Sequence, residues 1–187
     1  MIRAFVAIFP PDEVVGALVA AQAGLPAGRA VEPENLHLTL AFLGENPEPL
    51  LEDVHFALEA IRAPAFPLAL AGLGLMGDAR PRSLHAEVAP EPRLSALRDK
   101  VVQAARGAGL RLERTRYRPH VTLARFGAGV APEDVERARA FAARGAGFRA
   151  GPFDAAAFHL VRSQLGRAGP TYDTLATYPL AGGRALV

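Results

Sequence analysis

The sequence predicts an α+β domain made of two pseudo-symmetric lobes, with largely antiparallel strands, helices on the outside and a central cleft. Three observations carry that reading. Two stretches repeat, His37-Leu38-Thr39-Leu40-Ala41-Phe42-Leu43-Gly44 and His120-Val121-Thr122-Leu123-Ala124-Arg125-Phe126-Gly127, and they match at five of eight positions. Strand-like and helix-like segments follow one another in a similar order around each copy. No linker or low-complexity segment separates the halves, so the 187 residues, 50% of them hydrophobic, read as one domain, 1–187, sharing a core. The chain has only 5 His and 6 Thr, and chance would place about 0.2 His-x-Thr triplets in it. Two triplets in the same apolar frame mark a duplicated strand.

The elements follow in order. Residues 2–9 alternate large apolar side chains with Ala and predict a strand. Pro10-Pro11-Asp12-Glu13 starts a helix, since Pro is tolerated in the first turn and acids are favoured there. That helix runs through Val14, Val15, Leu18 and Val19 to about Ala23, where Gly24 and Pro26 stop it. The first His/Thr strand covers 36–43, and a helix follows over about 47–62. Strands at 66–75 and 83–88 flank the turn-prone Gly77-Asp78-Ala79-Arg80-Pro81. In the second half, Leu94, Leu97, Val101 and Val102 have helical spacing within 91–107. The second His/Thr strand covers 119–126, a helix 132–144, and strands at 153–163 and 172–180 close the chain.

Composition excludes several classes of protein. With no Cys there is no disulfide framework, thiolate metal site or thiol nucleophile. No apolar run approaches the roughly 18 residues that a membrane span needs. The opening Met-Ile-Arg-Ala-Phe-Val-Ala-Ile-Phe is too short and poorly flanked for a secretory signal, so a cytoplasmic location is expected. The net charge is +2 and the basic residues are 20 Arg and one Lys, an excess that coding bias accounts for as a whole. Individual guanidinium groups nonetheless suit phosphate oxygens. The mild positive balance permits a nucleotide or nucleic-acid fragment as partner. The lack of an obvious exposed apolar helix predicts a monomer.

The chemistry lies in the repeat. Residues i and i+2 of a strand share a face, so His37 projects with Thr39 and His120 with Thr122. Strands related by symmetry would bring two imidazoles and two hydroxyls around one point. Acid–base catalysis at a phosphodiester needs such a pair, one neutral imidazole to take a proton and one charged imidazole to give one. Thr hydroxyls can donate to non-bridging phosphate oxygens. The scheme needs no metal and no cofactor, and a di-histidine metal site would lack an evident carboxylate third ligand. Arg125 points away from Thr122 if the strand is regular, whereas a bulge or a strand end would turn it into the cleft. Phe5 and Tyr172 are candidates for base stacking, with core packing favoured for Phe5. His55 reads as a solvated helix residue and His159 as a structural one.

Asn35-Leu36-His37-Leu38-Thr39-Leu40-Ala41-Phe42-Leu43-Gly44 and Arg118-Pro119-His120-Val121-Thr122-Leu123-Ala124-Arg125 resemble the paired His-x-Thr-x motifs of the 2H phosphoesterase superfamily. Within it they are most similar to the bacterial and archaeal RNA 2′,3′-cyclic phosphodiesterases, also called 2′-5′ RNA ligases. Arg3-Ala4-Phe5-Val6-Ala7-Ile8 resembles that family's first strand and Tyr172 through Leu180 its last. The resemblance implies the 2H phosphoesterase fold and metal-independent hydrolysis of a terminal 2′,3′-cyclic phosphate on RNA to a 2′-phosphomonoester. It makes His37 the proton donor to the departing 3′ oxygen and His120 the base that activates water. Thr39 and Thr122 would hold the phosphate, with Arg125 as a further contact because it matches an Arg after the second motif. It also implies ATP-independent 2′-5′ joining of RNA ends, the reverse reaction with a 5′-hydroxyl in place of water. His85 departs from the pattern, which usually has an aromatic near that point, so a grip on the terminal base there would be weaker or lost. Alternatives are a sibling enzyme acting on a small cyclic nucleotide, an ADP-ribose cyclic phosphate or a 2′-5′ oligonucleotide, and a non-catalytic protein that binds RNA ends.

Overall fold

Apolar residues at three- and four-residue spacing set the helices, and alternation sets the strands. The computed structural model describes residues 1–77, 80–113, 116–166 and 169–183. The chain forms β1 (Ile2–Ile8), α1 (Asp12–Gln22), β2 (Arg29–Ala30), β3 (Leu38–Asn46), α2 (Glu48–Glu59), β4 (Phe66–Met76) and β5 (Ser83–Val88). It continues with α3 (Pro92–Gly107), β6 (His120–Arg125), α4 (Pro132–Arg144), β7 (Arg149–Ala155), β8 (Ala157–Gly166) and β9 (Gly169–Pro179). Each helix begins after a residue in extended conformation, and α1 and α4 carry two acids in their first turns, where they complement the unsatisfied N–H groups. In α3 the Glu91 side chain accepts from the Arg93 N–H, closing one of those groups directly. Every helix buries a single stripe, such as Leu51, Val54 and Leu58 in α2 or Leu94, Leu97 and Val101 in α3.

The nine strands form one sheet in the order β7-β4-β5-β6-β3-β1-β8-β9, with β2 paired on β6. All of these strand pairs are antiparallel. The order divides into two four-stranded halves that meet between β3 and β6, where Leu38 faces Val121 in register. Chain order repeats across the join as β1-α1-β3-α2 and β5-α3-β6-α4. α1 packs on β6 and β7 while α3 packs on β3, so the helix after β1 or β5 covers the opposite half.

One face of the sheet carries the main core. Leu36, Leu38 and Leu40 of the first repeat and Val121 and Leu123 of the second are all 2% exposed or less, and they join the helix leucines in one cluster. On β1, Ala4, Val6 and Ile8 belong to that cluster, while Phe5 and Ala7 join Val161, Phe9 and Tyr172 in a second, smaller one. This alternation puts a separate apolar floor on the cleft face.

The single strand expected at 153–163 is instead two, β7 and β8, broken at Ala156. They lie in different halves of the sheet, β7 on β4 and β8 on β1. Ala155-Ala156-Ala157, where the chain crosses over, holds no turn-forming residue to announce the change. Gly151-Pro152 lies inside β7, which sits at the sheet edge where a residue without N–H is tolerated. The two-residue β2, Arg29–Ala30, is too short to carry an alternating pattern of its own. Leu123, fully buried beneath the second motif, gives a direct check of this packing: Leu123→Ala should cost about 2–5 kcal/mol in urea unfolding, and a loss well under 1 kcal/mol would contradict it.

Candidate active site

The Leu38↔Val121 pairing brings the two repeats side by side in opposite directions. Antiparallel register then sets His37 across from Thr122, and His120 across from Thr39, while Leu38 and Val121 go down into the core. His37 sits just before β3, after a 3₁₀ turn at Pro33–Asn35, and His120 opens β6. Both rings are anchored in the same way. His37 Nδ1 lies 2.7 Å from the Asn35 carbonyl and His120 Nδ1 lies 2.7 Å from the Arg118 carbonyl. A carbonyl only accepts, so Nδ1 carries the hydrogen in each ring and Nε2 is left to exchange a proton. Asn35 is itself tied by its side-chain amide to the Pro170 carbonyl at 3.0 Å, which fixes the first motif to β9.

A β-bulge follows each Thr. Thr39 pairs with Ala7 but Ala41 with Val6, so Leu40 is an extra residue; Thr122 pairs with His85 but Ala124 with Leu84, so Leu123 is extra. The carbonyl of Leu123 is satisfied by the Val31 N–H and by the Gln22 side chain, each at 2.8 Å. The bulge reverses the alternation beyond it. Arg125 is thereby turned to the cleft side and lines a compact pocket of about 110 Å³ with His37, Thr122, Arg29, Pro170 and Tyr172. Thr39 and His120 line a larger groove of about 660 Å³ on the other side of the motifs.

The surroundings of the two imidazoles differ. The His37 ring stacks on Phe5 at 4.7 Å and meets Tyr172 edge-on at 5.2 Å. Burial in this aromatic box pushes its pKa down to about 4; the Asn35 carbonyl opposes the shift, and the charges of Arg125 and His120 add to it. Phe5 is 4% exposed, packed between His37 and Tyr172. It therefore offers no face to a base, and the stacking role considered for it gives way to supporting His37. Tyr172 is half-buried and reaches the compact pocket.

His120 has His85 beside it, the ring centroids 5.0 Å apart. His85 is buried, lies opposite Thr122 across the β5–β6 ladder, and is pushed down to about 4 by burial and then by the positive charges of His120 and Arg118. Its Nδ1 is buried and has no hydrogen-bond partner among the described residues. The position is thus a wall behind His120 rather than a surface open to a base. Of the remaining histidines, His159 contacts the Thr177 hydroxyl at 3.0 Å, and burial lowers its pKa. His55 is not simply solvated: its Nδ1 lies 2.9 Å from the Tyr178 hydroxyl. Among the described residues no group of three His, Cys, Asp or Glu gathers as a metal site. Arg29, Arg118 and Phe42, which border the cleft, were not singled out from sequence because nothing local separates them from other surface residues.

A family model described as LigT-like phosphoesterase matches residues 8–85 and 87–172. The chain is 35% identical over 165 residues to an RNA 2′,3′-cyclic phosphodiesterase of Geobacillus stearothermophilus, covering 87% of this chain and 51% of that protein. The chain thus spans about half the length of that relative. A protein of the same name from Aeropyrum pernix is 35% identical over 158 residues, with 83% of this chain and 87% of that one covered. The crystal structure of E. coli LigT complexed with 3′-AMP superposes with a TM-score of 0.77 at 27% identity, covering 96% of this chain and 98% of that chain. No helix among the described residues is long and apolar enough to cross a membrane.

The two depressed histidines make stability depend on pH. His37 and His85 stay neutral in the fold down to about 4, while in the unfolded chain each protonates near 6.5. Between those values the unfolded state binds more protons, so stability falls as pH drops from about 6.5 to about 4. Thermal melting across that window should show the decline, and His85→Gln should flatten it. A slope unaltered by His85→Gln would place the titrating group elsewhere.

Proposed function

Because the chain belongs to the LigT-like phosphoesterase family, and is a phosphoester hydrolase of the 2H type, we propose that it opens the 2′,3′-cyclic phosphate at an RNA 3′ end to a 2′-phosphomonoester, with His37 and His120 as the acid–base pair and without a metal. The matched anchoring of the two imidazoles carries this reading: each Nδ1–H is held by the carbonyl two residues earlier, so each Nε2 is available to exchange a proton. The substrate class follows the name borne by the Geobacillus and Aeropyrum relatives.

In the reaction the phosphate lies over the two motif strands. Thr39 and Thr122 hydroxyls donate to its non-bridging oxygens, and Arg125 supplies a positive charge at the compact pocket. His120 Nε2 takes a proton from water as the water oxygen bonds to phosphorus. The bond from phosphorus to O3′ breaks, and His37 Nε2–H protonates the departing oxygen. The division of roles follows the family resemblance. A 5′-hydroxyl in place of water gives a 2′-5′ phosphodiester by the same exchange of bonds, with no ATP.

His37 starts from a low pKa because it is buried, so it must be loaded as donor when the substrate arrives. The phosphate anion favours the charged imidazole and opposes the effect of burial. Phosphate-analogue binding at pH 5–6 should therefore be accompanied by proton uptake, read as a dependence of the calorimetric enthalpy on the buffer's ionisation enthalpy. His37→Gln should abolish the uptake, and a wild-type protein that binds the analogue with no uptake would remove His37 as the donor.

The activity itself is tested with a short RNA ending in a 2′,3′-cyclic phosphate, in EDTA, with product identification. We expect the 2′-phosphomonoester, with His37→Ala and His120→Ala each lowering kcat by about 10²–10⁴. Turnover retained in both variants would end the paired-histidine mechanism, and loss of activity in EDTA would end the metal-free one.

A further inference from the structure

The two motif imidazoles share a backbone anchor but not a setting of rings. His37 is held between Phe5 at 4.7 Å, Tyr172 at 5.2 Å and Phe9 at 6.2 Å. Among the described residues His120 has one such neighbour, His85, at 5.0 Å. The repeat does not supply it: Ala7 lies opposite Thr39 in the first half, where His85 lies opposite Thr122 in the second. The His85 ring is buried. Gly74, its partner on β4, leaves the room for it, since a Cβ there would come within 2.9 Å of His85 Nε2. Its charged neighbours are Glu87 on its own strand, His120 on β6 and Arg118 just before β6.

No hydrogen bond accounts for this placement. His85 Nε2 is 4.0 Å from Glu87 Oε1, too far for one, and Nδ1 has no partner among the described residues. A ring without hydrogen bonds contributes its shape, and here that shape lies against His120. Burial and the charges of His120 and Arg118 keep it neutral, so it sets no second charge beside a base that becomes charged. The Nδ1 bond to the Arg118 carbonyl fixes one point of the His120 ring. A wall is needed to stop the ring from swinging about that point, because a small misplacement of a reacting group costs rate. We propose that His85 is a positioning residue for His120: wedged over Gly74, it backs the ring and holds Nε2 toward the water that it deprotonates. This rests on the proposed reaction for the role of His120. His85 itself neither exchanges a proton nor touches the substrate.

The test is kinetic, with the short RNA ending in a 2′,3′-cyclic phosphate. His85→Ala should lower kcat about tenfold and leave KM within about twofold. His85→Phe, a ring without nitrogens, should keep kcat within about threefold of the wild type. Gly74→Ala acts from a neighbouring strand by pressing on His85; the Glu87 carboxylate, also in reach, is exposed and can move aside. It should lower kcat about fivefold in the wild type and not at all in His85→Ala. Proton uptake at His37 on binding a phosphate analogue should persist in His85→Ala, and its loss there would make His85 a structural residue and overturn the inference. A kcat of His85→Ala within about threefold of the wild type, a rise in KM that accounts for the loss, no recovery in His85→Phe, or effects of Gly74→Ala and His85→Ala that multiply would also overturn it. If the wild type opens no cyclic phosphate, the proposed reaction fails, and the positioning is read by NMR from the His120 ring. Its Nδ1–H resonance should be visible in the wild type and in His85→Phe and be lost to exchange with water in His85→Ala. Persistence of that resonance in His85→Ala, or its absence from the wild type, would overturn the inference.

Discussion

The structure depends on the contact between β3 and β6. Leu38 faces Val121 there, and both are 2% exposed, so this join between the sheet halves sits on the main core. Fixing these two apolar residues downward fixes their neighbours upward, because alternate strand residues take opposite faces. A slip of one residue would send His37, Thr39, His120 and Thr122 into the core and bring leucines into the cleft. The cost of burying four polar groups without partners makes such a slip unfavourable. Hydrophobic burial on one face therefore sets the catalytic register on the other.

Symmetry of backbone does not extend to the walls. Behind His37 stand Phe5, Phe9 and Tyr172, an apolar box that disfavours charge. Behind His120 stand His85, and Glu87 opposite His120 in the ladder. Equal imidazoles on equal strands thus meet unlike surroundings, one flanked by aromatic rings at the compact pocket, the other beside polar groups at the larger groove. In the free protein this difference keeps His37 neutral, so the donor role proposed for it depends on the bound phosphate anion restoring its charge.

The His/Thr strands could be read from sequence because residue type, spacing and repetition agreed, and the four helices because each bears an apolar stripe with a start signal. The division of 153–163 into β7 and β8 could not, since three consecutive Ala residues carry no turn chemistry and the crossing is dictated by which strands have free edges. His85 was equally opaque. Its buried place depends on Gly74 across the β4–β5 ladder, where an added Cβ would come within 2.9 Å of His85 Nε2 and 2.8 Å of Glu87 Oε1. That is a contact between strands, and no local pattern around either residue encodes it. The direction of Arg125 depended on a bulge, whose extra residue, Leu123, looks like any other strand leucine.

The two bulges carry the repeat one step beyond its shared residues. Each falls immediately after the Thr and turns the residue three places further on toward the cleft face. In the second copy that residue is Arg125, at the compact pocket; in the first it is Phe42, opposite Phe5 in the ladder and lining the large groove. One duplicated backbone device thus presents a guanidinium on one side and an aromatic ring on the other. A charge suits the side where the pocket is small and close to His37, and a ring suits the side where the arginines already supply the charge. The asymmetry of the site therefore runs through two registers of the same motif: the walls beneath the histidines and the outward positions just past the threonines.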